Sequence, residues 1–276
     1  MRIIADNLVD IATLTANPAV VATLPVTNLQ KLAHSKTMRT TSTADQEIKM
    51  TFASDKVFTA FAMLRHNLTS SATWRIQIYS DAAWTTQVFD SADTLALSGK
   101  ALGDLLWGVE PLGTTLFTGW AFAFSTMWLS SAVIGRSVKI TLKDSTNPAG
   151  YFDIGRLFAG NHIETNINPK LGMDLRWVDQ SKQSRTSGAT LYSEQIGEPY
   201  RELQIDFDAL TPESRSKLNE ASRQVGMRKD IFISVFPGYG GALERDYTLQ
   251  GKFVTTPNSR FEPGVRFSSG FTIQDA

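Results

Sequence analysis

Cysteine is absent from this chain of 276 residues, and histidine occurs only three times, at His34, His66 and His162. Without cysteine the chain has no disulfides, thiolate metal sites or cysteine nucleophiles. The histidines are far apart in sequence and form no His-x-x-x-His or His-Glu-x-x-His pair, and no Gly-x-Ser-x-Gly elbow is present. Counting residue types leaves a Ser-His-Asp triad open. We predict no catalytic residue, no metal, no cofactor and no enzymatic activity.

An excess of either charge is also missing, because 27 Lys and Arg residues balance 27 Asp and Glu residues. A nucleic-acid-binding protein usually carries a basic excess, so nucleic acid is not an expected partner. Zero net charge instead suits a subunit that packs against copies of itself. No secretory signal is expected, because Asp6 and Asp10 interrupt the region where its apolar run would stand. The lack of cysteine favours synthesis in a reducing cytoplasm.

Residues 111–135 form one long uncharged run, and its part from Leu116 to Gly135 is about the length of a membrane span. It contains hydroxyl residues and two interior glycines, and its large residues Trp120, Phe122 and Phe124 alternate with small ones. A period of two is typical of a strand with one large-residue face. We therefore predict a strand here and no membrane span.

Short alternating segments dominate the first half of the chain. Apolar and polar residues alternate in residues 48–52, 74–78 and 138–142, whereas residues 57–64 form a near-continuous apolar run. The first pattern predicts strands that are buried on one face, and the second a strand that is covered on both faces. Turn-forming clusters separate these segments, so we predict a β-sandwich or barrel.

The second half predicts a smaller α+β domain. Thr211 can cap a helix, Pro212 suits its first position, and Gly226 suits its end. Strand patterns flank this helix, including 203–208, 231–235 and a closing strand from Val265 to Ile273. The predicted fold is therefore mainly β, with a β-sandwich domain at residues 1–160 that carries an extended N-terminal arm, and an α+β domain resembling a split barrel at residues 161–276.

Three aromatic residues are the candidate interaction sites. Trp84, Trp107 and Tyr239 lie in predicted loops, where an exposed ring can stack on a sugar or contact another subunit. Packing within the turn is the alternative for each of them.

Three further features resemble sites only superficially. The stretch Gly238–Gly241 lacks the Gly-Lys-Ser/Thr ending of a phosphate loop, and we predict a hairpin turn between strands. Asp206 and Asp208 share one face of a predicted strand, which we interpret as a solvated face and not as a pair of glycosidase carboxylates. Asp104 and Glu110 do not have the spacing of a known calcium loop.

A resemblance to tail-region proteins of long-tailed phages spans residues 20–160. It depends on the segments Pro25-Val-Thr-Asn-Leu29, Ile48-Lys-Met-Thr-Phe52, Leu64-Arg-His-Asn-Leu68, Trp74-Arg-Ile-Gln-Ile-Tyr-Ser-Asp81 and Ser137–Asp144 running into Ala149–Gly160. In order, these segments resemble the discoidin, or galactose-binding-like, β-sandwich as it occurs in phage virion proteins. The second half, through its strand, capped helix and Ile231–Pro237 strand, is similar to tail-tip proteins of the distal-tail type.

This resemblance implies a structural role and a set of partners. The chain would form a homo-oligomeric ring, a trimer or hexamer, in the virion, joining the tail tube to hub or fibre proteins of the tail tip or baseplate. Made in the bacterial cytoplasm, it would order two arms on assembly, residues 1–43 and 161–188. The alternative is a carbohydrate-binding module for a host glycan, and a third hypothesis is a hydrolase of the cell envelope.

Overall fold

The computed structural model of the chain is mainly β, as predicted. It describes residues 1–100, 102–118, 120, 123–263 and 266–275, without the side chain of residue 104. The strands are β1 (Arg2–Ile4), β2 (Thr13–Asn17), β3 (Met38–Arg39), β4 (Gln46–His66), β5 (Thr73–Tyr79), β6 (Gln87–Asp90), β7 (Thr94–Leu95), β8 (Ala123–Lys143), β9 (Asp153–Gly160), β10 (His162–Glu164), β11 (Asp174–Val178), β12 (Lys182–Arg185), β13 (Leu191–Glu194), β14 (Tyr200–Leu210), β15 (Ile231–Ser234), β16 (Thr248–Thr255), β17 (Arg260–Glu262) and β18 (Arg266–Asp275). The helices are α1 (Pro212–Val225) and α2 (Gly241–Asp246), and short 3₁₀ turns occupy Leu8–Ile11, Val26–Gln30 and Leu102–Asp104.

The chain divides into two compact units. We call the residues Asp6–His162 and Gly238–Asp246 the sandwich unit, and the residues Met1–Ala5, Ile163–Pro237 and Tyr247–Ala276 the helix unit. These bounds differ from the predicted division at residue 160 because both units draw on distant segments.

In the sandwich unit, one sheet bends over a single core. Its strand order is β3-β9-β4-β8-β5-β6, with β2 added to β4 and β7 to β5. The 21-residue strands β4 and β8 pair along most of their length, from Gln46 opposite Leu142 to His66 opposite Ala123. Irregularities between Thr51 and Lys56 and again near Phe58 interrupt this register. Bulges of this kind bend long strands, which lets the two halves of the sheet face each other as a sandwich.

The core of this unit follows the predicted alternation. Ile48, Met50 and Phe52 all face one shared core, together with Trp74 on the neighbouring part of the sheet. The apolar run after Val57 is buried residue by residue through Leu64, as expected for a strand that is covered on both faces.

The strand predicted in the uncharged run is observed in part as β8, which begins at Ala123 and includes Phe124, whereas Trp120 lies before the strand. Phe122 and Val265, which the predictions included, lie outside the described residues. Among the described residues, no helix is both long enough and apolar enough to span a membrane.

The predicted N-terminal arm is corrected by the structure. The strand β1 pairs with β15, with Ile3 opposite Ile233, so the first residues belong to the sheet of the helix unit. Further along, Val9, Leu29 and Met38 are fully buried in the sandwich core. Burial of these apolar side chains favours packing of the segment against the rest of the chain over an extended arm.

The helix unit is built on a second sheet, in the order β10-β1-β15-β16-β18-β14-β11, with β17 added to β18. The helix α1 lies where it was predicted, and the Thr211 side chain accepts a hydrogen bond from the backbone N–H of Ser214. Its buried residues Leu218, Ala221 and Val225 join the core of this unit. The strands β12 and β13 form a separate two-stranded sheet.

Candidate functional site

The three predicted aromatic residues differ in their surroundings. Trp107 is 74% exposed and Tyr239 is 72% exposed. Trp84 is instead half-buried at a left-handed turn position, with φ of 65°, and its ring meets the Tyr79 ring edge-on at 5.3 Å. Lys49 Nζ also lies 6.0 Å from the centroid of the Trp84 ring. Trp84 is therefore a packing residue of its own turn, whereas Trp107 and Tyr239 remain candidates for interaction.

A small cleft in the sandwich unit, of about 80 Å³, is lined by residues of the segments 95–98, 116–117, 124–126 and 240–245. We call it the loop cleft. Trp107 belongs to the loop that leads to Leu116 and Phe117 of the cleft wall, and Tyr239 directly precedes Gly240 of the opposite wall. The cleft is lined by Leu95, Ala96, Ser98, Leu116, Phe117, Phe124, Ser125, Thr126, Gly240, Gly241, Glu244 and Arg245.

Arg245 joins the two walls of the loop cleft. Its Nη1 donates a hydrogen bond to the Leu116 carbonyl oxygen at 2.7 Å, and its guanidinium lies 4.4 Å from the centroid of the Trp120 ring. Its Nε donates to Asp246 Oδ1 at 2.8 Å. A planar guanidinium suits this position because it can stack on a ring and donate in its own plane at the same time.

Glu244 fixes the glycine-rich wall. Its carboxylate oxygens accept hydrogen bonds from the backbone N–H groups of Gly238 at 3.1 Å and Gly240 at 2.8 Å. Both glycines have positive φ, 81° and 68°, which L side chains rarely adopt. The carboxylate thus occupies the backbone donors that a phosphate group would need, so this stretch is not a phosphate loop.

The structure corrects the predicted hairpin turn at Gly238–Gly241. The stretch leads directly into α2, a six-residue helix, and not into a strand. The sequence contains the signal for this helix, because Ala242, Leu243, Glu244 and Arg245 are all strong helix formers.

A buried serine–histidine pair lies behind the loop cleft. His66 Nε2 is 2.8 Å from Ser125 Oγ, and Ser125 Oγ donates a short hydrogen bond to the Ala96 carbonyl oxygen. The backbone N–H of Leu68 points at His66 Nδ1, at 3.4 Å, which leaves Nε2 as the protonated nitrogen. The histidine therefore donates to the serine, and this direction is opposite to that of a general base that activates a serine nucleophile.

Burial keeps this histidine neutral. Desolvation lowers the pKa of His66 to about 3, because the charged imidazolium would lose its hydration inside the sandwich. The pair is a satisfied polar group of the core, and it holds the cleft residue Ser125 in place.

The polar groups of the cleft can bind a ligand but offer no nucleophile–base pair. Ser98 and Thr126 bring hydroxyl groups to the walls, and Arg245 brings a cation. The rings of Phe117 and Phe124, 4.8 Å apart and edge-on, form the apolar part. Hydroxyls, a guanidinium and aromatic rings around one recess make up a surface that suits a polar ligand with an apolar face.

In the part of the chain that the structure describes, no group of three or more His, Asp or Glu residues could hold a metal ion. Glu110, considered for calcium, pairs with Lys100 and accepts a hydrogen bond from the Leu106 N–H at 3.0 Å. The Asp104 side chain lies outside the described residues. Asp206 and Asp208 are both exposed, as predicted for a solvated strand face.

A wider groove of about 460 Å³ lies in the helix unit. An ion pair between Lys170 Nζ and Asp208 Oδ2, 2.8 Å apart, stands at this groove, and the hydrogen bond to Asp208 raises the pKa of Lys170. Asp206 and Arg260 also line it. The charged side chains of this groove are of both signs and largely exposed, so they favour no particular class of ligand.

No family model and no curated protein matches the chain. Similar solved structures include the family 32 carbohydrate-binding module of NanJ from Clostridium perfringens in complex with galactose, at 10% identity and a TM-score of 0.40, covering 59% of this chain and 99% of that one.

Two further structures are similar over the same extent. Chitosan-binding module 1 of a chitosanase/glucanase from Paenibacillus sp. IK-5 has 12% identity and a TM-score of 0.38, covering 56% of this chain and 99% of that one. The first family 32 module of a family 31 glycoside hydrolase from Clostridium perfringens has 10% identity and a TM-score of 0.40, covering 57% and 99%. The resemblance to phage tail proteins stays a prediction.

Proposed function

We propose that the sandwich unit is a non-catalytic carbohydrate-binding module that uses the loop cleft. The observation that carries this proposal is a cleft that contains hydroxyl groups, aromatic rings and Arg245, in the same unit as two exposed aromatic residues, Trp107 and Tyr239. Aromatic faces stack on the C–H faces of sugars, while guanidinium and hydroxyl groups bind sugar hydroxyls. The direction of the His66–Ser125 hydrogen bond supports binding without catalysis.

The volume of the cleft limits the size of the ligand that it can bind. At about 80 Å³ the recess is well below the volume that encloses a drug-sized ligand, which is roughly 300 Å³ or more. It suits the edge of one sugar ring, with the exposed rings outside it stacking on the same or the next residue of the glycan. We expect weak binding of a terminal or internal sugar unit.

A glycan array probed with the full chain, followed by calorimetry on the best glycan, tests this proposal. Trp107→Ala and Tyr239→Ala should each weaken binding roughly two- to twelvefold, because each removes an aromatic contact worth about 0.5–1.5 kcal/mol. Phe261→Ala, which removes a similarly exposed ring from the helix unit, is the matched control and should leave binding unchanged. No binding to any glycan, or wild-type affinity in both Trp107→Ala and Tyr239→Ala, would refute the proposal.

We also infer that the chain is a subunit of a multi-chain assembly, with the helix unit as its assembling part. The observation that favours this role is the exposure of large apolar side chains there, with Leu171 97% exposed and Trp177, Tyr192 and Ile196 each more than half exposed. Large apolar side chains that are exposed in a single chain are often covered in a protein interface. The ring in a phage tail tip or baseplate that the sequence resemblance implies is the specific form of this proposal.

Light scattering of the full chain over a concentration series tests the assembly role. A trimer or hexamer is the expected result for a self-closing ring. A monomer at every concentration would count against self-assembly and leave the carbohydrate-binding proposal untouched.

A further inference from the structure

The hairpin formed by β12 and β13 has no core of its own. Its two strands pair only with each other, and all eight of their residues are exposed. An isolated two-stranded hairpin is only marginally stable in water. A partner that pairs with this hairpin or covers it would therefore increase its stability.

The open backbone edges of the hairpin can be assigned from its register. The N–H of Thr186 donates to the carbonyl oxygen of Thr190, so these two residues form a hydrogen-bonded pair. Such pairs alternate along an antiparallel ladder, which makes Gln183 and Ser193 a non-hydrogen-bonded pair. The N–H and C=O groups of Ser193 consequently point away from β12, towards a strand that could be added to the outer edge.

The charges of β12 and β13 indicate which strand can be added to this edge. The strand β12 carries Lys182 and Arg185, whereas β13 carries Glu194. Pairing β12 with β12 of another copy would bring cations together. Pairing β12 of one copy with β13 of the next repeats the register within the hairpin and places Lys182 opposite Glu194 again.

We propose that copies of this chain join through this hairpin, with β12 of one copy adding to the outer edge of β13 of the next, so that the hairpins continue as one antiparallel sheet. This inference rests on the proposed assembly role and specifies its interface. The contact is heterologous, and a closed ring of hairpins would leave no free edge. The zero net charge of the chain adds no overall repulsion between copies.

Charge reversal with mixing tests this interface on the full chain. In K182E and in E194K, like charges meet both within the hairpin and between copies, and each variant alone should need roughly tenfold higher concentration to assemble. An equimolar mixture of the two restores an opposite-charge pair at every junction of a hexamer and at two of the three junctions of a trimer, while the like charges within each hairpin remain. Recovery of assembly in the mixture, followed by light scattering, is therefore specific to pairing between copies.

A backbone variant gives an independent check. Ser193→Pro removes an outward N–H that makes no bond within the hairpin, and it should abolish assembly, whereas Ser193→Thr should keep it. Assembly of the wild-type chain that is unaffected by K182E, E194K and Ser193→Pro would overturn the hairpin interface and leave the assembly role standing. Failure of the mixture to recover would also overturn it, and a monomeric wild-type chain would contradict both.

Discussion

Acid should destabilise the sandwich unit through His66. This imidazole is fully buried, and burial lowers its pKa from 6.5 to about 3 in the folded chain. In the unfolded chain the same group titrates near its ordinary value. Between these two values the unfolded state takes up a proton that the folded state does not. The contribution of His66 is thus complete above pH 6.5 and is lost as the pH falls towards 3.

The size of the effect follows from the same two values. Each pH unit inside the window changes the free energy of unfolding by about 1.4 kcal/mol. Lowering the pH from 8 to 5 should therefore remove about 2 kcal/mol. The loss should come from the sandwich core, where the imidazole donates to Ser125 at 2.8 Å.

Urea denaturation at pH 8, 7, 6 and 5, followed by tryptophan fluorescence, measures this effect. In a Trp177→Phe background the remaining tryptophans all belong to the sandwich unit. The variant His66→Gln keeps an N–H donor for Ser125 but cannot titrate, so its unfolding free energy should lack the 2 kcal/mol dependence, whatever its stability at pH 8. His34→Gln, at an exposed position, is the matched control and should behave as wild type. Equal pH dependence in wild type and His66→Gln would refute the reasoning.

Two further predictions concern stability. Thr211→Ala removes the cap of α1 and should lower the free energy of unfolding of the helix unit by about 1 kcal/mol; an unchanged urea midpoint would show that the cap contributes nothing. Asp10→Ala leaves the fully buried guanidinium of Arg156 without its carboxylate and should cost the sandwich unit about 2–3 kcal/mol. Glu164→Ala, which breaks the exposed pair with Arg2, should change stability by less than about 1 kcal/mol, and a similar cost in both would contradict the role of burial.

The sequence predicted the elements whose signals are local. The helix α1 was predicted with both of its ends. The signals are local, because Thr211 and Pro212 act on the first turn of the helix and Gly226 acts on the last. The alternation around Ile48 predicted a half-buried strand. The same sequence did not predict that this strand and the apolar run after Val57 are one continuous strand, because a bulge carries the chain through the polar residues between them.

Contacts between residues that are far apart in the sequence were not predicted. The burial of Arg156 requires Asp10, which lies 146 residues away in sequence. The sequence left open whether Trp107 and Tyr239 are exposed or packed within their turns, and it did not predict the contact of Arg245 with the carbonyl of Leu116, 129 residues away. Periodicity and turn signals describe neighbours in sequence and contain no information on such pairs.

The pairing of β1 within the helix unit has a consequence for the order in which the chain folds. The N–H of Thr165 donates to the carbonyl oxygen of Met1, and the amino group of Met1 donates to Asn168 Oδ1. Topologically, β1 and β10 are the two arms of a hairpin whose loop is most of the sandwich unit. Closing a loop of this length has a large entropic cost while it is disordered, and that cost falls once the loop is itself compact. The sandwich should therefore fold first, and β1 should be among the last strands to pair.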